Sequence, residues 1–113
     1  MKEAALHIRT GSIDDGVCLS LAGELDIATA DSVKAALEGM QAASPGVLLI
    51  DLRGLVFMDS TGLQVVLQAA RRAETHGGRL VLVRGRRPVQ RVFELAQLES
   101  RLAFVDDPGE VTA

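Results

Sequence analysis

The neighbouring hydroxyl groups of Ser60 and Thr61 are the side chains whose type and spacing most favour chemistry in this sequence. They stand in the run Asp59-Ser60-Thr61-Gly62, between a carboxylate and a residue without a side chain. Serine hydrolysis is not favoured, because the run lacks the first glycine of a Gly-x-Ser-x-Gly turn and no histidine is placed as a base. Two uses remain for these hydroxyls, which are a helix cap and a contact for a partner.

Other residue types that often carry chemistry are placed for structural roles. His7 and His76 lie far apart, and neither has a cysteine or second histidine at metal-ligand spacing, so neither a metal nor another cofactor is expected. Gly77-Gly78 follows a helical pattern, which is typical of a helix cap and not of a phosphate loop. Cys18 alternates with apolar neighbours in a strand pattern and is expected to be a small buried hydrophobe.

The run Arg84-Gly85-Arg86-Arg87 is the one basic cluster of the sequence. It allows two interpretations. The favoured one is a solvated loop between a strand and a helix, and the other is a contact for an acidic partner surface or a phosphate.

Length and composition limit the classes of function. A chain of 113 residues that is 48% hydrophobic suits one core, so residues 1–113 are expected to form a single domain. A net charge of -3 favours neither nucleic acid nor an acidic membrane surface as a direct partner. With three Phe and no Trp or Tyr, few rings are available for stacking nucleobases.

The sequence also predicts a compartment. Its single cysteine cannot form an internal disulfide, and its beginning lacks the pattern of a secretory leader. No apolar run approaches the roughly 18 residues of a membrane span. A cytoplasmic location is therefore expected.

The elements that must position Ser60 alternate along the chain. Residues 6–8 and 17–21 alternate apolar and polar side chains on either side of a turn over 11–16, which predicts an antiparallel hairpin. A helix with Thr29 as its N-cap follows, and the segment 47–52, which is continuously apolar except for Asp51, predicts a central strand. The apolar side chains of that helix recur at helical spacing, at Val33, Ala36, Leu37 and Met40.

A second helix is predicted to begin near Ser60 and to end at Gly77-Gly78. Its expected core stripe is Leu63, Val66, Leu67, Ala70 and Ala73. A strand over 80–83, a helix opened by Pro88, a strand over 103–105 and a tail that is frayed or forms one helical turn complete the chain. The fold class is α/β: a mixed four- to five-stranded sheet with an N-terminal antiparallel hairpin, parallel crossovers and packed helices.

Three segments together closely resemble the STAS domain, and most of all its anti-sigma factor antagonist branch. They are Gly23-Glu24-Leu25-Asp26, Leu49-Ile50-Asp51-Leu52 and the run from Phe57 to Leu63, and the segments 78–83 and 88–95 also fit the family. The resemblance covers nearly the whole chain. Its one departure is a short tail after Val105, where many members have a longer final helix.

The resemblance implies a regulatory binding protein and not an enzyme. In that family a bacterial antagonist binds an anti-sigma factor that is also a serine kinase and so releases the sigma factor. Phosphorylation by that kinase inactivates the antagonist, and a serine phosphatase restores it. Carried over by position, the phosphoacceptor is Ser60, and Asp26 on the neighbouring loop completes an acidic rim with Asp59.

The expected partner-binding surface consists of Asp26, Asp59, Thr61, Gly62 and Gln64. Ser60 is expected at the N-cap, and Gly62 is expected to accept no bulk at the partner surface while making no core contact. No direct contact with nucleic acid or membrane is expected, and the protein is expected to be a monomer or weak dimer. An accessory subunit of a transport or signalling assembly, docking on a cytoplasmic ATPase without phosphorylation, is the alternative; a hydrolase or nucleotide-binding protein is a third possibility.

Overall fold

Five strands and four helices follow one another in residues 5–112, the part of the chain that the computed structural model describes. The strands are β1 (Leu6–Ile13), β2 (Gly16–Leu25), β3 (Val47–Met58), β4 (Arg79–Val83) and β5 (Ala103–Val105). The helices are α1 (Ala30–Gln41), α2 (Ser60–Thr75), α3 (Arg87–Leu95) and α4 (Gly109–Thr112). Helix α4 is the single turn that the sequence allowed for the tail. None of the described helices is both long and apolar enough to cross a membrane.

The strands form one mixed sheet in the order β1-β2-β3-β4-β5. Strands β1 and β2 are antiparallel, and every later pair is parallel, which confirms the predicted fold class. The predicted turn over 11–16 is too wide, however. Ile13 pairs with Gly16, so the turn consists of Asp14 and Asp15 alone, because backbone pairing continues through residues whose side chains gave no apolar signal.

Strand β3 is longer than the sequence indicated. It runs on from the predicted end at Leu52 to Met58, but it pairs with β4 only from Val47 to Asp51. The remaining half pairs with β2 alone, through two register shifts. The second half of β3 therefore extends beyond the end of β4, and it places the start of α2 there.

Alternate residues of β3 enter two separate cores. Leu48 and Ile50 belong to the larger one, which contains the buried apolar side chains of α1, α2 and α3. Val47 and Leu49 belong to a smaller one on the opposite face, where Val111 of α4 packs. Cys18 lies at the edge of this smaller core and is only partly buried.

Candidate functional site

Helix α2 begins directly after the extended end of β3, and this junction is joined to the end of β2. Leu25 pairs with Met58, and the Asp59 N–H donates to the Leu25 carbonyl at 3.2 Å. The loop after β2 and the start of α2 therefore lie side by side. This arrangement confirms the predicted position of the run at the carboxyl end of a central strand.

Asp59, and not Ser60, is the N-cap of α2. Its backbone is extended, with φ -109° and ψ -172°, and its Oδ1 accepts from the N–H groups of Thr61 at 2.9 Å and Gly62 at 3.1 Å. The Asp59 carbonyl accepts the Leu63 N–H at 3.1 Å. The expectation that Ser60 holds the N-cap position is wrong, because the helix already includes Ser60 as its first residue and the Asp59 carboxylate caps it from one position earlier.

Ser60 is the first residue of the helix, and its side chain is exposed. Its hydroxyl has no hydrogen-bond partner within residues 5–112. Thr61, one position further, is half-buried, whereas Gln64 on the next turn is exposed. Of the two neighbouring residues Ser60 and Thr61, the more exposed one is therefore Ser60, which is the expected phosphoacceptor.

Gly62 faces the core and not the solvent. A Cβ built on it would lie 2.7 Å from Cγ of Leu25 and 2.9 Å from Cγ of Met58, and the residue is buried. The expectation that Gly62 makes no core contact is therefore wrong. Glycine is required here because α2 approaches the ends of β2 and β3 too closely for a side chain.

Asp26 folds the neighbouring loop through its own carboxylate. Its Oδ1 accepts from the N–H groups of Ala28 at 3.0 Å and Thr29 at 3.2 Å. Thr29 is the residue before α1, as predicted, but its hydroxyl donates to the Glu24 carbonyl at 2.9 Å and makes no cap hydrogen bond. Asp26 is half-buried. Its carboxylate therefore adds negative charge to the site and holds the loop in shape, and it is not a freely accessible group.

Three exposed apolar side chains near the junction were missed by the sequence analysis. Ile27 is 79% exposed in the loop after β2, and Val56 and Phe57, near the end of β3, are each 46% exposed. Phe57 pairs with Glu24. An isoleucine inside an otherwise polar loop was the available signal for the first. Phe57 gave none, because the segment was expected to be a turn rather than strand.

The other chemistry-bearing side chains do not join this site. No three His, Cys, Asp or Glu side chains lie close enough to hold a metal ion in the part of the chain that the structure covers. His76 lies at the far end of α2, where its Nδ1 is 2.8 Å from the Arg72 carbonyl. The site is thus a surface with one free hydroxyl, two engaged carboxylates and apolar neighbours.

Comparison with known proteins assigns the chain to a family. The model of the STAS domain matches residues 7–110. The chain belongs to the STAS domain family. An anti-sigma-B factor antagonist from Listeria monocytogenes is 36% identical over 97 residues, which are 86% of this chain and 85% of the relative.

Two solved structures share the fold. An anti-sigma factor antagonist from Mycobacterium paratuberculosis superposes with a TM-score of 0.84 at 24% identity, covering 93% of this chain and 89% of the other. The phosphorylated form of the Bacillus cell fate determinant SpoIIAA superposes with a TM-score of 0.73 at 22% identity, covering 93% and 96%. At these identities the two structures establish the fold alone.

Proposed function

We propose that this STAS protein is an anti-sigma factor antagonist that is controlled by phosphorylation of Ser60. It binds an anti-sigma factor that is also a serine kinase, which releases the sigma factor. Phosphorylation by that kinase ends binding, and a serine phosphatase restores it. The protein itself is a substrate and a binding partner in this cycle, not a catalyst. The observation that carries the proposal is the exposed, unpartnered Ser60 hydroxyl at the start of α2 in a chain 36% identical to a protein named anti-sigma-B factor antagonist.

The geometry suits Ser60 as phosphoacceptor. A kinase must bring the attacking oxygen in line with the γ-phosphate, which requires a hydroxyl that can be reached and reoriented. Ser60 is exposed, whereas Thr61 is half-buried and its β-branched side chain is restricted in χ1. The phosphorylated form of SpoIIAA shares this fold, so the fold is compatible with such a modification.

The cap also determines where a phosphate on Ser60 would lie. Helix N-termini usually accommodate anions through free N–H groups, but Asp59 already occupies those of Thr61 and Gly62. Of the first four N–H groups of α2, that of Ser60 alone has no acceptor within residues 5–112. A phosphate would therefore remain at the surface, beside the Asp59 carboxylate, where a partner contacts it.

The electrostatic cost of the added phosphate sets how strongly phosphorylation would weaken partner binding. Phosphorylation adds roughly -1.5 to -2 charges. If the partner places an acidic group against Ser60, one added unit charge at about 4 Å costs roughly 4 kcal/mol at an effective dielectric near 20. At about 1.4 kcal/mol per factor of ten, that cost approaches a thousandfold loss of affinity. An apolar partner surface would be disrupted as well, because the phosphate would have to be desolvated.

Affinity capture from the source cell tests the proposal. The wild-type protein and the Ser60→Asp variant are immobilised, and the retained proteins are identified by mass spectrometry. We expect the wild type to retain an anti-sigma factor with a serine kinase domain, and the variant to retain less of it. Capture of a transport ATPase, equally by both proteins, would instead support the accessory-subunit alternative and contradict the proposal.

A further inference from the structure

Strand β1 forms an edge of the sheet and pairs with one strand only. It is bonded to β2, and the order β1-β2-β3-β4-β5 leaves its other side without a strand in residues 5–112. Proteins usually protect such an edge with a bulge, a proline, a very short strand or several charges. Strand β1 has eight residues, a continuous register with β2, no proline and one permanently charged side chain, that of Arg9. This edge is therefore open to pairing with a further strand.

The register with β2 shows which backbone groups of β1 point away from it. The Glu24 N–H donates to the Ala5 carbonyl at 2.8 Å, so these two residues are a hydrogen-bonded pair directly before β1. In an antiparallel ladder, hydrogen-bonded and non-hydrogen-bonded pairs alternate. Arg9 and Gly11 therefore bond to β2, as do the other odd-numbered residues of β1. The residues whose N–H and C=O groups face outward are Leu6, Ile8, Thr10 and Ser12.

Uncharged side chains accompany these outward-facing backbone groups. Thr10 and Ser12 are exposed, and Ile8 is half-buried against the larger core. A Cβ built on Gly11 would meet nothing within 4 Å, so the space beside it is open. A second strand therefore meets no charged side chain at the positions whose backbone faces outward.

We propose that two copies of this chain pair antiparallel through β1, with Thr10 on the two-fold axis. Both copies carry the same row of alternating N–H and C=O groups, so an antiparallel pair about a two-fold axis satisfies both rows at once. The sheet then continues from one copy into the other. Strand addition of this kind obtains its affinity from main-chain hydrogen bonds.

Arg9 and Gly11 make the edge complementary to itself. With the axis at Thr10, each Arg9 lies opposite Gly11 of the second copy, which has no side chain. With the axis at Arg9, the two arginines would be directly opposite, and like charges in that arrangement are destabilising. With the axis at Ile8, Arg9 would face His7 of the second copy and meet a like charge whenever that ring is protonated. Axes nearer either end of β1 leave fewer hydrogen bonds, so the axis at Thr10 is favoured.

This pairing edge is separate from Ser60. Strand β2 lies between β1 and β3, and Ser60 follows the end of β3. A strand added beside β1 therefore joins the side of the sheet that faces away from the start of α2. The inference does not depend on the proposed function, and the two can fail independently.

Sedimentation equilibrium of the purified protein tests the inference. A single pair of strands is a small interface, so we expect a weak dimer with a dissociation constant of about 0.1–1 mM. The average mass should rise from that of one chain towards twice that value as the concentration increases from about 10 µM to about 2 mM. The mass of a single chain over the whole range would overturn the proposal.

Matched variants of Thr10 separate pairing through β1 from association elsewhere. Thr10→Pro removes an N–H that faces away from β2, and an edge strand tolerates proline in that orientation, so the single chain should still fold. Because Thr10 lies on the axis, the change acts twice and is expected to weaken the dimer at least about tenfold. Thr10→Val keeps the N–H and the branched side chain, and it is expected to change the affinity less than about threefold.

Equal affinities of the two Thr10 variants would overturn the proposal, because the interface would then lie elsewhere. Circular dichroism shows whether Thr10→Pro folds. If it does not, Ser12→Pro decides the matter, since it removes another outward N–H nearer the end of β1. A dimer that persists unchanged in a folded Ser12→Pro variant would contradict the proposal as well.

Disulfide cross-linking in a Cys18→Ser background tests the position of the axis. Thr10→Cys places a thiol directly opposite its own copy, at a Cα separation of about 5.5 Å that a disulfide can span. Arg9→Cys places it opposite Gly11, so the two thiols are diagonal neighbours about 7–8 Å apart, beyond the usual span. We expect mild oxidation to cross-link the Thr10→Cys protein and not the Arg9→Cys protein. Preferential cross-linking of Arg9→Cys would overturn the proposed axis.

Discussion

Asp59 and Ser60 have different roles at the residue scale, although both are polar and adjacent. The Asp59 carboxylate holds two N–H groups of α2, so it belongs to the fold. The Ser60 hydroxyl holds nothing within residues 5–112 and is exposed, so it is free for a partner. The separation lets a modification act on Ser60 while the cap stays in place.

Replacing Asp59 should distinguish the cap from the charge. Asp59→Ala loses both hydrogen bonds and is expected to lower the free energy of unfolding by about 0.5–2 kcal/mol. Asp59→Asn retains Oδ1 as an acceptor and is expected to stay much closer to the wild type. Urea unfolding of the three proteins measures the difference. Equal losses in both variants would show that the negative charge at the helix N-terminus, and not the hydrogen bonds, stabilises α2.

Replacing Ser60 should abolish phosphorylation without affecting the fold. Because no cap is lost, Ser60→Ala is expected to change the free energy of unfolding by less than about 0.5 kcal/mol. Incubation with the captured kinase, followed by phosphosite mapping, is the measurement. Ser32→Ala, at another exposed serine in the first turn of a helix, is the control and should be phosphorylated like the wild type. Thr61→Ala should also remain a substrate, and phosphothreonine at Thr61 beside unmodified Ser60 would contradict the assignment.

At the scale of elements, the closeness of α2 to the strand ends depends on one glycine. A methyl group at Gly62 would press on the side chains of Leu25 and Met58, whereas one at Gly39 in α1 would meet nothing within 4 Å. Gly62→Ala is therefore expected to destabilise by about 1–3 kcal/mol through overpacking. Gly39→Ala is expected to stabilise by up to about 1 kcal/mol, because alanine favours the helix. Thermal unfolding compares them, and a stabilised Gly62→Ala would show that α2 is free to move outward.

An ion pair on β3 should make the stability of the fold depend on pH in the acid range. The Arg53 side chain hydrogen-bonds the Asp51 carboxylate at 2.8 Å and holds its pKa below the ordinary value of 3.8. The contribution to stability is therefore present above that value and is lost as the pH falls through the lowered pKa. Arg53→Gln should raise the pKa of Asp51. Above pH 3.8 this variant should be less stable than the wild type, and the difference in stability should become smaller as the pH falls through the lowered pKa. Arg71→Gln, at an exposed arginine without an ion pair among the residues described, should show no such change in melting experiments from pH 6 downward.

At the scale of the whole molecule, the sequence predicted which elements exist better than where they end. Alternation and continuous apolar runs were enough for the hairpin, the parallel strands and the helices between them. The second half of β3 was missed because Arg53 and Gly54 interrupt the apolar pattern. The structure shows why a glycine stands there: a Cβ on Gly54 would lie 2.7 Å from the Leu21 carbonyl oxygen, so strand pairing itself requires it.

The same limit affected the site. Gly62 was placed on the surface because a glycine gives no hydropathy signal, yet it stands four residues before Val66 and seven before Ala69, both of which are buried on α2. Helical spacing alone would therefore have placed it in the core. The pairing that brings Asp26 beside α2 depends on strand order, which no local pattern contains. Ser60 was selected through the family resemblance, and the predicted start of α2 was one residue off, because Asp59 and not Ser60 is the N-cap.

The proposed partner-binding surface lies at the Ser60 end of the molecule, and its limit along α2 can be tested. Gln64 and Gln68 are both exposed on α2, at about 6 and 12 Å along the axis from Ser60. Arginine is larger than glutamine but equally suited to a helix, so Gln64→Arg and Gln68→Arg should both fold as the wild type does. If the surface consists of Asp26, Ser60, Thr61 and Gln64, the added bulk and charge at Gln64 should reduce affinity for the captured anti-sigma factor at least about tenfold. The same change at Gln68 should alter it little. Calorimetry on the two variants measures both affinities. Equal affinities would show that the interface does not include this part of α2, and would favour a surface around the exposed side chains of Ile27 and Phe57.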